Sequence, residues 1–165
     1  MAVEVVEALD RFRSYLEPRD GIGNNPFKLG CSFERPATEE EIASAWTADI
    51  PAEMINLWST SRESRLFEDI DYGQWGLVLL SPSACARRTT EERARRPNSY
   101  RAGDIVIGEF LGDLEILVLA PSKVGEQRIL VALPFDDRPD WYAVGSTMAD
   151  FLNRYIQAFG GKYWE

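Results

Sequence analysis

The chain has 165 residues, a net charge of −9 and a hydrophobic content of 45%. This length suits one domain that removes roughly 70% of its unfolded surface from water, so it needs no metal or disulfide to fold. The negative charge argues against a general nucleic-acid-binding protein, because phosphate contacts require a basic surface, and it favours a basic partner. No histidine is present, which excludes Ser/His triads, Cys/His triads and HExxH zinc sites but leaves carboxylate chemistry open.

The two cysteines, Cys31 and Cys85, lack CxxC or Cys/His spacing, which predicts inert thiols in a reducing compartment. No apolar run approaches the ~20 residues that a bilayer requires. The first residues carry acids inside any would-be hydrophobic segment, so no signal peptide is expected. The sequence therefore predicts a soluble cytoplasmic protein that does not contact a membrane.

Three helices are predicted in the first part of the chain. Helical spacing of apolar residues predicts the first, which stops at Pro18. Its inner stripe is Val5, Leu9, Phe12 and Leu16. A connector at 21–26 follows, rich in glycine and asparagine. Thr38 is the predicted cap of the second helix, with Glu41 reaching back to it, and Pro51 opens the third. The inward side chains of this third helix are Met54, Leu57 and Trp58.

Two strands and a helix are predicted next. The strands are 65–70 and 75–80, on either side of a turn at 71–73. Ser81 caps a helix that runs to about Arg95, with Pro82 in its first turn. This helix and its exit are basic, through Arg87, Arg88, Arg93, Arg95, Arg96 and Arg101. The arginines either dock an acidic partner or form a solvated face with internal ion pairs.

The segment 103–121, GDIVIGEFLGDLEILVLAP, contains the densest run of strand-forming residues and predicts a β-hairpin. Gly112-Asp113 suits a two-residue turn, because glycine readily takes a positive φ angle. The register that follows pairs Leu111 with Leu114, Glu109 with Ile116, Ile107 with Val118 and Ile105 with Ala120. Apolar residues occur on both faces of this hairpin, so we expect helices to cover both.

The last part of the chain predicts a turn at 121–126, strands at 127–133 and 141–144, and a closing helix capped by Ser146 or Thr147. The apolar stripe of that helix is Met148, Phe151, Leu152, Tyr155, Ile156 and Phe159. We expect Tyr163 and Trp164 to fold back over the edge of the sheet. The order of elements predicts an α+β protein with a mainly antiparallel sheet flanked by helices.

Two acidic segments are candidate partner-binding sites. The first consists of Glu68, Asp69, Asp71, Tyr72 and Trp75. Acids beside aromatic residues suit a basic protein surface, because acids steer the encounter and aromatic residues anchor the interface. Glu68 and Asp69 point to opposite faces of a strand, so the acids need not form one cluster. The alternative is a polar turn whose Trp75 lies in the core.

The second acidic segment consists of Asp136, Asp137, Asp140 and Trp141, in a loop that Pro134 and Pro139 should stiffen. A stiff loop presents its acids at a lower entropic cost. Turn chemistry explains the same aspartates equally well. Neither segment matches the ligand spacing of a calcium loop, so we expect no metal or cofactor.

The patterns TEEEIASAWTADIPAEMINLW, LFEDIDYGQWGLVLLSP and GDIVIGEFLGDLEILVLA, with a closing helix near Ser146 and the ending GGKYW, resemble the SMI1/KNR4 family of the SUKH superfamily. The resemblance runs from Thr38 to Trp164. It implies a single α+β domain over 1–165, in which residues 1–37 form an N-terminal helix and loop before the family-like region. It also implies protein recognition, because members share a scaffold, vary their surfaces and have no agreed catalytic residues.

Many bacterial members of this family act as immunity proteins, which bind and neutralise a cognate toxin that is often a nuclease. The resemblance therefore implies a non-enzymatic protein with a basic toxin domain as its partner. One alternative is an intracellular regulatory or scaffold protein of the same fold without a toxin partner. Another is an enzyme that uses Asp136, Asp137 and Glu68 as paired carboxylates, with or without magnesium.

Overall fold

A seven-stranded antiparallel sheet organises the part of the chain that the computed structural model describes, residues 2–121 and 128–165. These residues also form five α-helices. The helices are α1 (Ala2–Asp10), α2 (Glu39–Ala45), α3 (Ala52–Thr60), α4 (Pro82–Arg95) and α5 (Met148–Gln157). The strands are β1 (Leu29–Phe33), β2 (Ser64–Asp69), β3 (Leu77–Leu79), β4 (Ile105–Phe110), β5 (Ile116–Leu119), β6 (Ile129–Ala132) and β7 (Tyr142–Gly145). The predicted α+β class is confirmed.

The strands lie in the sheet in the same order as in the chain, and each pairs antiparallel with the next. Helices cover both faces, as neighbouring residues of β4 show. Glu109 points to one face, where it meets Arg88 of α4. Phe110 points to the opposite face, where its ring lies 5.5 Å from Trp164. Trp164 in turn contacts Phe151 of α5, which places α4 and α5 on opposite faces.

Local capping signals fix the helices as predicted. The Thr38 and Ser81 side chains accept from the amides of Glu41 and Ala84, and the Thr147 side chain caps α5 in the same way. The predicted inner residues of α3 are buried. Glu41, however, pairs with Arg35 at 2.7 Å and does not reach back to its cap residue. The capping hydroxyl groups thus satisfy backbone amides at the N-termini of α2, α4 and α5.

The first helix changes geometry before it ends. After Asp10 the chain continues as a 3₁₀ helix over Arg11–Tyr15, which has three residues per turn. The residue that follows Phe12 on the inner face is therefore Tyr15, whose ring lies 4.8 Å from Phe67. Leu16 is half exposed, so its predicted place in the inner stripe is wrong.

Strand β1 was not predicted, because its sequence LGCSF contains no β-branched residue and no clear alternation. It pairs with β2 through a bulge in which Cys31 faces both Leu66 and Phe67. Phe67 has a φ angle of +51° there, and its amide donates to the Cys31 thiol sulfur at 3.3 Å. The core ring cluster around Phe67 depends on this bulge.

The register of the central hairpin is only partly as predicted. Glu109 pairs with Ile116, but the register then shifts, so that Val106 faces Val118. Ile107 is the extra residue, and the Val106 amide donates to the Thr89 hydroxyl of α4 at 2.9 Å. The predicted pairs Ile107 with Val118 and Ile105 with Ala120 are therefore wrong: β4 must satisfy hydrogen bonds to its neighbouring helix as well as to β5.

The predicted two-residue turn at Gly112-Asp113 is a longer loop. The Leu111 amide donates to the Gly76 carbonyl at 2.8 Å, on the side of the neighbouring hairpin. Leu111 therefore does not pair with Leu114, and Leu114 is 69% exposed. The connection between β4 and β5 opens toward the connection between β2 and β3.

The predicted fold-back over the edge of the sheet is confirmed for Tyr163, whose hydroxyl donates to the Val144 carbonyl of the edge strand β7. Trp164 instead lies over the middle of the sheet, where it meets Phe110. Phe159 has a φ angle of +52° and is 47% exposed, so it leaves the stripe of α5. The predicted turn at 121–126 and the start of the predicted strand at Gln127 lie outside the described residues, apart from Pro121. Within 2–121 and 128–165, no helix combines the length and apolar character needed to cross a bilayer.

We expect Gly112→Ala to destabilise the protein far more than Gly73→Ala. Both glycines have positive φ angles, +89° and +65°, so each alanine pays about 1–2 kcal/mol for a left-handed backbone. A Cβ at Gly112 would lie 2.0 Å from the Gln74 carbonyl oxygen, whereas one at Gly73 would have no atom within 4 Å. Urea denaturation should show a loss of about 3 kcal/mol or more for Gly112→Ala alone. Equal losses would contradict the close approach of the two loops.

Candidate functional site

The sheet topology brings three connections to one end of the sheet. In an antiparallel sheet whose strands follow chain order, the turns after β2, β4 and β6 must all lie at the same end. We call residues 70–76, 111–115 and 133–141 the loop end. The helices α2, α3 and α4 belong to the connections at the opposite end. Both acidic segments that the sequence singled out reach the loop end.

Asp69 belongs to the interior of the first loop. It is 1% exposed, and its carboxylate accepts from the amides of Asp71 and Tyr72 at 3.2 Å and of Gln74 at 3.0 Å. Its prediction as a partner-binding residue is therefore wrong, because the carboxylate is spent on holding the turn. The neighbouring Glu68 pairs with Arg65 at 2.6 Å and is only partly exposed.

The other members of the first segment divide between core and surface. Trp75 is half buried, and its indole donates to the Gly160 carbonyl at 3.2 Å, which supports the alternative in which Trp75 packs on the core. Asp71 is exposed, and Tyr72 is 73% exposed with its ring 6.3 Å from Phe27. Asp71 and Tyr72 are thus the part of this segment that faces solvent.

The second segment presents its aspartates and hides its tryptophan. Asp136, Asp137 and Asp140 are exposed, and within the described ranges their carboxylates form no hydrogen bond or ion pair. Trp141 is 7% exposed, and its indole donates to the Asp136 carbonyl at 3.0 Å. Its prediction as a contact residue is wrong, because the ring packs 5.2 Å from Tyr100 with arginine guanidinium groups nearby.

A buried ion pair holds this loop. Asp104 has no exposed surface, and its carboxylate accepts from both terminal nitrogens of Arg138 and from the Arg101 amide at 2.7 Å. Arg138 also donates to the Ser99 carbonyl at 3.2 Å. On the other side, Arg96 donates to the Leu133 carbonyl at 2.8 Å and to the carbonyl of Asp136. The loop is therefore fixed at both ends before any partner binds.

The β4–β5 loop is held by Lys162, whose ammonium donates to Asp113 and, at 3.2 Å, to Glu115. Burial disfavours the charged ammonium, but these carboxylates outweigh burial and raise the pKa of Lys162. Burial raises the pKa of Glu115, and Lys162 offsets only part of that shift. Lys162 also lies 5.7 Å from the ring centroid of Trp75, so it ties two loops together.

Sequence reasoning missed two highly exposed apolar residues beside these acids. Phe135 is 88% exposed, between Pro134 and Asp136, and Leu114 is 69% exposed, between Asp113 and Glu115. Their signal was a large apolar side chain set between residues that favour turns. An open groove of about 600 Å³ lies between their loops. Both residues line it, which makes them candidate anchors for a partner.

The basic segment follows the interpretation of a solvated face with internal ion pairs. Arg88 pairs with Glu109 at 2.7 Å and with Glu91 at 3.0 Å. Arg95 pairs with the buried Glu92 at 2.5 Å. Most of the charge on this helix is therefore neutralised within the protein, although Arg101 is exposed.

The carboxylates proposed for an enzyme do not share a pocket. Glu68 lies on β2, bonded to Arg65, whereas Asp136 and Asp137 lie four strands away in the β6–β7 loop. Across residues 2–121 and 128–165, no three His, Cys, Asp or Glu side chains come close enough to hold a metal ion.

No known protein family matches the chain, and no curated protein matches it either. The surface of the chain itself is therefore the starting point for its function.

We expect Asp104→Ala to cost about 3–5 kcal/mol, because it leaves Arg138 buried without its carboxylate. Asp140→Ala should change stability by less than about 0.5 kcal/mol, since that exposed side chain in the same loop has no partner. The double variant Asp104→Leu with Arg138→Met should cost less than Asp104→Ala alone. Urea denaturation measures all three, and a double variant at least as unstable as Asp104→Ala would contradict the ion pair.

We expect both cysteines to resist iodoacetamide at pH 9 in the folded protein and to react in urea. Burial raises the pKa of Cys31 from 9.0 to about 12 and raises that of Cys85. Between pH 9.0 and about pH 12 the unfolded chain loses the Cys31 proton while the folded chain keeps it. The free energy of unfolding therefore falls as pH rises through this range. Wild type should lose up to about 1.4 kcal/mol per pH unit more than Cys31→Ala over this range. Parallel profiles would contradict the buried thiol.

Proposed function

We propose that this chain is a protein-binding module that recognises a basic protein through its loop end. The observation that carries the proposal is the placement of Tyr72, Leu114 and Phe135, which are 69–88% exposed, on three separate connections at the same end of the sheet. Large apolar side chains that are exposed close together indicate a surface that binds another molecule. Each one follows or precedes an aspartate in the chain, and these aspartates are Asp71, Asp113 and Asp136.

The charge at the loop end selects the kind of partner. Asp71, Asp136, Asp137 and Asp140 have no partner within the described chain, whereas the arginines of α4 are largely paired. The unpaired charge at this end is therefore negative, in a protein whose net charge is −9. Such a surface raises the rate at which a basic protein associates and disfavours nucleic acid.

We propose further that the partner is a toxin domain and that the chain acts as an immunity protein of the SUKH type, which blocks the toxin by binding it. The sequence resemblance and the acidic, apolar-tipped loops both support this function. The two cysteines are buried free thiols, which supports the reducing environment of the cytoplasm. In this role the carboxylates imitate the phosphates that a basic nuclease would otherwise bind.

Charge reversal at the loop end tests the proposal. The first partners to test are basic proteins encoded by neighbouring genes, with affinity measured by calorimetry. We expect Asp136→Lys with Asp137→Lys to weaken binding at least about tenfold at low salt, and the loss to shrink at about 500 mM salt, where screening acts within roughly 5 Å.

The matched control is Glu7→Lys with Asp49→Lys, which makes the same change in net charge at exposed residues of α1 and of the α2–α3 connection. If both double variants weaken binding equally, net charge and not the loop end is responsible. If neither does, the proposed surface is wrong.

A further inference from the structure

We propose that the loop end receives a basic amphipathic α-helix of the partner, laid across the groove between the β4–β5 and β6–β7 loops. This inference rests on the proposed function and names the element that the partner contributes. It follows from the spacing of the two loops, from the side chains between them, from their unpaired charge and from their rigidity.

The spacing of the loops matches the repeat of a helix. The β4–β5 and β6–β7 connections are two strand spacings apart in the sheet, which corresponds to about 10 Å. Two turns of an α-helix, seven residues, rise about 10.5 Å. A helix that crosses the groove can therefore place one apolar side chain on Leu114 and another, seven residues later, on Phe135.

The groove provides a place for the side chains between those two anchors. Its volume of about 600 Å³ lies within the range of about 300–1,000 Å³ typical of binding pockets. Leu114 and Phe135 form the exposed rims of the groove, and its lining also includes Leu111, Ile116 and Pro134. An apolar residue at position i+3 or i+4 of the helix, counted from the residue on Leu114, would enter this space. Anchors at positions i, i+3 or i+4, and i+7 are the pattern by which helices bind grooves.

The charges of the groove favour a basic helix over an acidic one. Arginines do line one wall, but Arg88 is paired with Glu109 and Glu91, and Arg95 with Glu92. Arg96 donates to two backbone carbonyls, which hold its guanidinium in place but leave its single positive charge uncompensated. By contrast, the carboxylates of Asp136 and Asp137 beside Phe135 are unpaired in the described chain. Lysine or arginine on the flanks of the helix would meet these carboxylates.

The groove is formed before the helix arrives. Lys162 fixes one wall through Asp113 and Glu115, and the buried pair of Arg138 with Asp104 fixes the other. Neither wall depends on the other for its position. A preformed groove avoids the ordering cost that a flexible loop would add to binding.

The test uses two synthetic peptides of identical composition, each of about 18 residues, long enough for appreciable helicity. One places leucine at i, i+3, i+7 and i+10 with lysine on the flanks. The other places the same four leucines at i, i+2, i+4 and i+6 with lysine between them, so that it is amphipathic only when extended. We expect the full-length protein to bind the helical peptide at least tenfold more tightly by fluorescence anisotropy, with a gain of helical circular dichroism on mixing.

Surface variants locate the binding. Leu114→Asp and Phe135→Asp should each weaken the helical peptide at least tenfold, whereas Ile55→Asp, a matched change at an exposed apolar residue of α3, should have less than a twofold effect. Equal affinity for the two peptides would overturn the proposal that the groove binds a helix. An equal loss of affinity in all three variants would overturn it as well. If the helix proposal fails but Asp136→Lys with Asp137→Lys still abolishes binding of the neighbouring basic protein, the proposed function is retained. If that protein binds unchanged, the proposed function fails.

Discussion

The constraint on which this structure depends is that each strand pairs antiparallel with the next one in the chain. This order sends successive connections to alternate ends of the sheet. The connections at one end contain α2, α3 and α4, which pack against the sheet or one another. Those at the other end, apart from a single 3₁₀ turn at Arg138–Asp140, are short loops. The helical connections and the loop end are thereby separated within one topology.

Charge is divided in a similar way between buried and exposed positions. Asp104 and Arg138 are removed from water and satisfy one another, which contributes little net stability but places the β6–β7 loop in one conformation. Lys162 does the same for the β4–β5 loop from a half-buried position. Asp71, Asp136, Asp137 and Asp140, which are exposed at the loop end, form no ion pair within the described residues. Their carboxylates therefore face solvent.

Sequence reasoning succeeded where the signal was local. A hydroxyl cap marks the start of α2, α4 and α5, and a periodic apolar stripe defines α3 and α5. Both signals come from neighbours three and four residues away. It failed where distant residues decide. The register of β4 depends on the Thr89 hydroxyl of α4, and the length of the β4–β5 loop depends on the Gly76 carbonyl. Neither contact can be read from the hairpin itself.

The candidate site was predictable in the same partial sense. The acidic loops were found from composition. The burial of Asp69 follows from its bonds to backbone amides, and that of Trp141 from two arginine guanidinium groups near its ring, and only the folded chain brings these groups together. Leu114 and Phe135 were overlooked because an apolar residue is normally assigned to the core. Their exposure becomes visible only once the loops are located at one end.

Asp69 has an implication for how such a protein can diversify. Its carboxylate grips the backbone of the β2–β3 turn and not the side chains of Asp71, Tyr72 or Gln74. Those three positions can therefore accept new side chains while the main chain keeps its path. A lineage could exchange the side chains at these positions, residue by residue, without having to rebuild the scaffold beneath.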